Sequence, residues 1–236
     1  MDRTYINTIP CIILAGGKGT RLQSAVPDVP KPMAPVNGKP FLEILIDRLR
    51  KQGMNNLIVS VGYKKESIIN YFDQPNTPSA LRYVEELQPL GTGGAIQLAV
   101  ESIPDSEYAL ILNGDTLFDI DLHEFIKRSY SQNATCTLAL KRIVSGDRYG
   151  EVILHEEKII GFNEKRLVEN ALINAGVYFI DLKKFRKLDF PSRFSFEKDF
   201  LEKLAGSSEI CGLEMEGYFI DIGIPEDYEK AQREIR

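Results

Sequence analysis

The chain has 236 residues, of which 43% are hydrophobic and 27% charged, and a formal net charge of −5; this suits one soluble α/β domain and argues against a general nucleic-acid binder, which would show a basic face. Three cysteines, Cys11, Cys136 and Cys211, are widely spaced and odd in number, so neither a disulfide framework nor a zinc site is expected and a reducing cytoplasm is the expected location. No signal-peptide core precedes Pro10 and no apolar run approaches the length of a membrane span, so no membrane partner is expected.

Ile9 to Ala15 is a short apolar run stopped by glycines, the pattern of a buried strand. Gly16 to Lys39 follows as a long loop with Pro27, Pro30, Pro32 and Pro35, and loops of that length are seldom kept without a use. Phe41, Leu42, Leu45, Ile46 and Leu49 share one face of a predicted helix over 41–51, which Gly53 closes. A strand is predicted at 56–61, a helix at 64–72, a strand at 81–85, a Gly/Pro loop at 86–94, a helix at 95–102 and a strand at 108–112. Such alternation predicts βαβ units and a parallel sheet covered on both faces, with ligands gathering beyond the carboxyl ends of the strands. Both Gly-rich loops and Asp115 fall at that kind of position.

The second half is richer in strands, predicted at 135–140, 152–154, 158–162 and 172–179, and reads as a mixed extension of the sheet. A helix is expected over 194–204 with Ser195 as its cap, then a last strand at 218–222 and a helix opened by Pro225. No linker, internal repeat or low-complexity tract interrupts the chain, so residues 1–236 are expected to form one domain.

Leu14-Ala15-Gly16-Gly17-Lys18-Gly19-Thr20-Arg21-Leu22 carries three glycines and two cations just after a strand, with Lys31 further on. Glycines let backbone N–H groups form a concavity, and neighbouring cations make it suit a polyphosphate. It is not a Walker loop, because Gly19 stands where Ser or Thr would follow Lys18. Nor is it a dinucleotide fingerprint, because Leu22 replaces the third glycine and prolines forbid the helix. The glycines alone fit a plain turn with solvated cations equally well. Asp115, in Asn113-Gly114-Asp115, could hold a hard divalent cation, although an Asp after a strand is more often a turn former. His123 and His155 belong to no motif.

Taken whole, the string from Leu14 to Leu22 with Pro30-Lys31-Pro32 resembles the signature of the sugar-1-phosphate nucleotidylyltransferases. The resemblance covers essentially the whole chain and implies a single-domain Rossmann-like nucleotidyltransferase (GT-A-like), an α/β fold with a mixed, mostly parallel central sheet and helices on both faces. It implies that Leu14, Ala15, Gly16, Gly17, Gly19 and Thr20 wrap the triphosphate, with Arg21 and Lys31 as catalytic cations. Glu86-Leu87-Gln88-Pro89-Leu90-Gly91-Thr92-Gly93-Gly94 is similar to the base-recognition loop, with Glu86, Gln88, Pro89, Gly91 and Thr92 the nucleotide contacts there and Gly114 another beside Asp115. Asp115, also counted as catalytic, and Asp221, in Asp221-Ile222-Gly223, align with the metal ligands and imply Mg2+ as cofactor. Asp227 falls instead in the first turn of the last helix.

Tyr149, Gly150, Glu164, Lys165, Asn174 and Gly176 match segments that bind the sugar phosphate, which assigns residues 141–180 to the acceptor side. Without the resemblance, Glu164-Lys165 would be a charged surface pair. Within the family, Lys31-Pro32-Met33-Ala34-Pro35, Asp147-Arg148-Tyr149-Gly150 and Tyr218-Phe219-Ile220-Asp221 are most similar to the D-glycero-α-D-manno-heptose 1-phosphate guanylyltransferases. That implies GTP and heptose 1-phosphate as substrates; relatives using mannose or glucose phosphates with GTP, dTTP or UTP share most of these strings. No hexapeptide repeat follows, so a bifunctional acetyltransferase is not expected, and a homo-oligomer is left open. A non-catalytic nucleotide-sugar-binding subunit is the rival from another class, and it should lack some of Arg21, Lys31, Asp115, Lys165 and Asp221, all of which are present.

Overall fold

A computed structural model of the chain describes residues 3–22, 26–74, 81–146, 149–164 and 167–235. After a 3-10 turn at Arg3–Thr8 come β1 (Cys11–Leu14), a second 3-10 turn at Lys31–Met33, and the short hairpin of β2 (Pro35–Val36) and β3 (Lys39–Pro40). Then follow α1 (Phe41–Lys51), β4 (Leu57–Val61), α2 (Lys65–Phe72), β5 (Arg82–Glu85), α3 (Gly91–Glu101), β6 (Tyr108–Asn113), β7 (Thr116–Asp119) and α4 (Leu122–Ser131). The second half holds β8 (Cys136–Gly146), β9 (Glu151–His155), β10 (Lys158–Asn163), β11 (Val168–Asp181) and α5 (Leu182–Phe185). A π-helical turn at Phe196–Leu201 runs into α6 (Glu202–Leu204), and β12 (Ile210–Glu214), β13 (Tyr218–Asp221) and α7 (Pro225–Glu234) end the described chain.

Nine strands form one sheet in the order β5-β4-β1-β6-β11-β8-β12-β10-β9. The four strands β5, β4, β1 and β6 are parallel. β11 then runs antiparallel to both β6 and β8, β12 is parallel to β8, and β10 and β9 turn antiparallel again. This is the mixed sheet that the sequence predicts, with its antiparallel part in the second half.

Alternation along β1 shows how the two faces are filled. Cys11 and Ile13 join the apolar layer that takes in Phe41, Leu45, Ile68, Phe72, Phe125 and Ala231, from α1, α2, α4 and α7. Ile12 joins the opposite layer with Ile96, Ala99, Phe185, Phe196 and Phe200, from α3, α5 and the π-helical turn. Period-2 alternation in a central strand buried on both sides requires both sets to be apolar. Among the described residues no helix is long and apolar enough to cross a membrane.

Three differences from the sequence reading bear on the site. α3 begins at Gly91 rather than at Ala95, so Gly91 to Gly94 form its first turn and not the end of a loop. Tight packing at those positions draws the glycines into the helix: a Cβ on Gly93 would lie 2.2 Å from the Phe194 ring, and one on Gly94 2.5 Å from Ser192 O. The helix expected over 194–204 is a π-helical turn followed by one α turn, capped as expected by Ser195, whose hydroxyl accepts the Lys198 N–H at 3.2 Å. Finally, β7, α4 and β12 fill stretches for which the sequence reading gives no element.

Candidate active site

Strand register assembles the site. Parallel pairing sets Leu14 opposite both Ser60 and Asn113, so the segments after β1, β4 and β6 leave the sheet side by side. Ala15 N–H donates to Ser60 O at 2.8 Å, Gly114 N–H to Leu14 O at 2.9 Å and Tyr63 N–H to Gly16 O at 3.1 Å. The segments that leave the parallel strands pass too close for side chains there: a Cβ on Gly114 would sit 2.7 Å from Leu14 O, and one on Gly62 3.0 Å from Gly16 O. The first glycine loop and Asp115 therefore share one rim, as predicted.

Asp221 reaches the same rim through a second device. β13 pairs antiparallel with β7, opposing Asp221 to Thr116, and Ile222 N–H donates to Asp115 O at 3.1 Å. The two carboxylates converge on one cation. Lys31 Nζ lies 2.5 Å from Asp115 Oδ2 and 3.2 Å from Asp221 Oδ1, with only 8% of the lysine side chain exposed. A buried ammonium requires such partners, since desolvating it alone would be prohibitive. Gly19 and Gly223 make room for it: a Cβ on Gly19, at φ +58°, would come within 2.6 Å of Lys31 Cβ, and one on Gly223 within 3.1 Å of Lys31 Nζ.

Carboxylate oxygens that face one cation at these distances form a donor set of the kind a hard divalent ion takes, and such an ion usually draws its other ligands from water and phosphate. Among the described residues no group of three or more His, Cys, Asp or Glu side chains is placed to hold a metal, here or elsewhere, so this pair of carboxylates would leave the rest of a metal's shell to water and phosphate.

Gly17, Lys18, Thr20 and Arg21 are exposed at the rim, and no atom lies within 4 Å of a Cβ placed on Gly17. The glycine loop thus offers an open backbone surface at Gly17 while Gly19 is packed on Lys31. On the neighbouring strand, Glu86 follows β5; its N–H donates to Val61 O at 2.8 Å and its carboxylate accepts Leu90 N–H at 3.2 Å. Burial raises the Glu86 carboxyl above its ordinary value, against the pull of that hydrogen bond. Glu86 also faces the first loop, because a Cβ on Gly16 would meet its Oε1. Leu87, Gln88 and Pro89 stand exposed, Leu87 at 92%.

Of the predicted acceptor residues, Asn174 and Gly176 sit at the irregularity of β11, where the register with β8 shifts between Asn174 and Tyr178. Asn174 Oδ1 accepts Gly176 N–H at 3.0 Å and its amide donates to Tyr178 Oη at 3.0 Å. Gly176, at φ +71°, packs on Asn113, whose amide nitrogen would be 2.7 Å from an added Cβ; this joins β11 to the Asn113-Gly114-Asp115 turn. Tyr149 stacks edge-on against Phe219 of β13, with centroids 5.7 Å apart, and Gly150 lies against Asn163 O. Glu164 is exposed, and Lys165 lies outside the described residues. A concavity of about 730 Å3 lined by Asn7, Gln52, Asp121 and His123 lies toward the segment that precedes β1 and contains none of the predicted residues.

A family model described as nucleotidyl transferase matches residues 10–236. The chain belongs to the nucleotidyl transferase family. Among relatives, it is 45% identical to a D-glycero-alpha-D-manno-heptose 1-phosphate guanylyltransferase of Aneurinibacillus thermoaerophilus, over 95% of this chain and 97% of that one. It is 43% identical to the enzyme of the same name from Campylobacter jejuni, over 92% and 96% of the two chains. The crystal structures of HddC from Yersinia pseudotuberculosis, one of them complexed with GMP-PN, match with TM-scores of 0.87 and 0.86 at 37% and 38% identity, each covering 97% of this chain and 100% of that one.

Sequence reading does not single out Gly62 or Asn113 as residues that shape this rim. Gly62 was the more visible of the two, as a glycine just after a buried strand, where close backbone approach is a standing reason for one. The role of Asn113 depends on the approach of Gly176, which only the β6–β11 pairing reveals.

Proposed function

We propose that the protein transfers GMP from GTP to D-glycero-α-D-manno-heptose 1-phosphate, forming GDP-heptose and pyrophosphate, in a cytoplasm that suits its three buried free cysteines. The observation that carries the reaction type is the convergence of Asp115 and Asp221 on Lys31 beside the glycine loop. The names of the two relatives and the GMP-PN complex of HddC support the choice of substrates.

The acceptor phosphate is already an ionised nucleophile, so the reaction needs no general base. One of its oxygens forms a bond to the α-phosphorus as the bridge to the β-phosphate breaks and pyrophosphate takes the bonding pair. The difficulty is repulsion between anions and charge on the leaving group, which positioning and electrostatics can meet. Exposed N–H groups around Gly17 cradle the triphosphate and Arg21 steadies its outer phosphates. Lys31 is held where it can offset charge at the α-phosphate. Glu86, Gln88, Pro89, Gly91, Thr92 and Gly114 bound the nucleoside. Tyr149, Gly150, Asn174 and Gly176 bound the sugar within residues 141–180, where Glu164 takes its hydroxyls and Lys165 aims its phosphate. Asp115 and Asp221 would hold Mg2+, which when bound supplies further charge neutralisation.

The test is a pyrophosphate-release matrix of four NTPs against heptose, mannose, glucose and N-acetylglucosamine 1-phosphates. GTP with the heptose phosphate should exceed every other pair in kcat/KM. A preference for dTTP and glucose 1-phosphate would overturn the substrate assignment, and no release from any pair would leave a nucleotide-sugar-binding protein.

A further inference from the structure

A stretch used by none of the predicted motifs, Ser192 to Glu197, runs directly along the base-side loop. Phe194 N–H donates to Leu90 O at 3.1 Å, and Gly93 N–H donates to Phe194 O at 3.1 Å. Two further bonds continue the seam: Phe196 N–H donates to Thr92 Oγ1 at 3.0 Å, and the Thr92 hydroxyl donates to Glu197 Oε2 at 2.7 Å. Thr92 thus uses its hydroxyl both as acceptor and as donor within one contact. Glu197 is itself fixed, because its Oε2 also accepts the Ser195 hydroxyl at 3.0 Å.

Three glycines permit this approach. A Cβ on Gly91, at φ +75°, would lie 2.5 Å from Phe194 O, and Gly93 and Gly94 abut the Phe194 ring and Ser192 O. The outer limb of the loop has no such support, since Leu87, Gln88 and Pro89 are exposed. Its inner limb is held at one end by the Glu86–Leu90 bond and at the other by the seam. Glu197 lies in the first turn of the π-helical segment, a wide turn found disproportionately at functional sites. The neighbouring Phe196 ring meets buried Tyr178 edge-on with centroids 5.1 Å apart, and the Tyr178 hydroxyl receives the Asn174 amide.

We propose that Glu197 is a positioning residue for donor-base selection: through Thr92 it locks the base-side loop in register. This rests on the reading of residues 86–92 as the nucleobase loop. A specificity loop reads a ligand only as sharply as its supporting contacts hold it.

Calorimetric GTP and ATP binding to the full chain, with the GTP/ATP ratio of kcat/KM, tests the lock in wild type, Thr92→Val, Thr92→Ser, Glu197→Ala and Glu197→Gln. Thr92→Val and Glu197→Ala should weaken GTP binding and lower the GTP/ATP ratio by about tenfold each, the scale of a lost hydrogen bond to a charged group. Thr92→Ser, which keeps the hydroxyl, should stay within about threefold of wild type, and Glu197→Gln should fall between. A merely structural contact would lower melting temperature yet leave the ratio unmoved. An unchanged ratio in Thr92→Val and Glu197→Ala overturns the proposal while the base-loop reading stands. Wild type that binds both nucleotides equally, or neither, removes that reading and the lock with it.

Discussion

Lys31 concentrates the electrostatics of the site into one side chain. Its burial between Asp115 and Asp221 means that neither carboxylate can be neutralised without leaving the lysine short of a partner. Asp115→Asn should lower kcat by about 10²–10³-fold at saturating Mg2+ and GTP, the range seen when one preorganised electrostatic contact is removed. Steady-state rates across a Mg2+ titration check this, and wild-type turnover would take Asp115 out of the metal site. Glu86 gives a prediction of opposite character. Its folded-state pKa is raised by burial, so the folded protein holds that proton more tightly than the unfolded chain does. Stability therefore falls as pH rises through the carboxylate range, and at neutral pH the charged form is a cost. Glu86→Gln keeps an oxygen for the Leu90 N–H and should melt higher than wild type at pH 7. The gap should close toward pH 4, as measured by thermal unfolding across that range.

At the level of elements, glycines divide into those that the packing demands and those around which it leaves open space. Gly114 and Gly17 are the sharpest contrast, one with Leu14 O 2.7 Å from its added Cβ and the other with open space around it. Gly114→Ala should destabilise the fold, because the Leu14 backbone that the new Cβ would meet cannot yield. Gly17→Ala should keep a melting temperature within about 2 °C of wild type while raising KM for GTP, consistent with the small stability effects of surface substitutions. Parallel melting and kinetic measurements separate the two. These elements also show what a one-dimensional reading can recover. β1, β4, β6 and α1 were legible because long apolar runs and a clean helical face leave little choice. α4 was missed although its signals were present: Asp121 caps it by accepting Glu124 N–H at 3.0 Å, and Leu122, Phe125, Ile126 and Ser129 form its buried face. The apolar residues of β7 run into that pattern and blur its start. β12 carries Gly212 in mid-strand, which weakens any strand signal, yet the side chains of Leu140 and Leu154 occupy the space that a Cβ there would need. Both aspartates at the cation were found through family likeness, but only the β7–β13 register shows why residues 115 and 221 meet.

Over the whole molecule, one continuous sheet carries apolar layers on both faces, so the rim cannot be loosened without disturbing strands that both layers share. Ligands that bridge the segments after β1, β5 and β6 should consequently stabilise the entire fold. Mass action sets the size: a ligand at one hundred times its Kd adds about 2.7 kcal/mol. For a chain of this length each kcal/mol raises the melting temperature by about 2–4 °C, which gives a rise of about 5–10 °C with GTP and Mg2+ together. GTP alone should give less, because its phosphates would then approach Asp115 and Asp221 with only the cations of the chain to offset the repulsion. Asp221→Asn should retain the response to GTP and lose most of the increment from Mg2+, since it removes one of the two carboxylates proposed to hold the ion. Differential scanning calorimetry of both proteins, with GTP held fixed and Mg2+ present or chelated, reads the increment directly. If Mg2+ raised the melting temperature of Asp221→Asn as far as that of wild type, Asp221 would be a structural partner of Lys31 and no metal ligand.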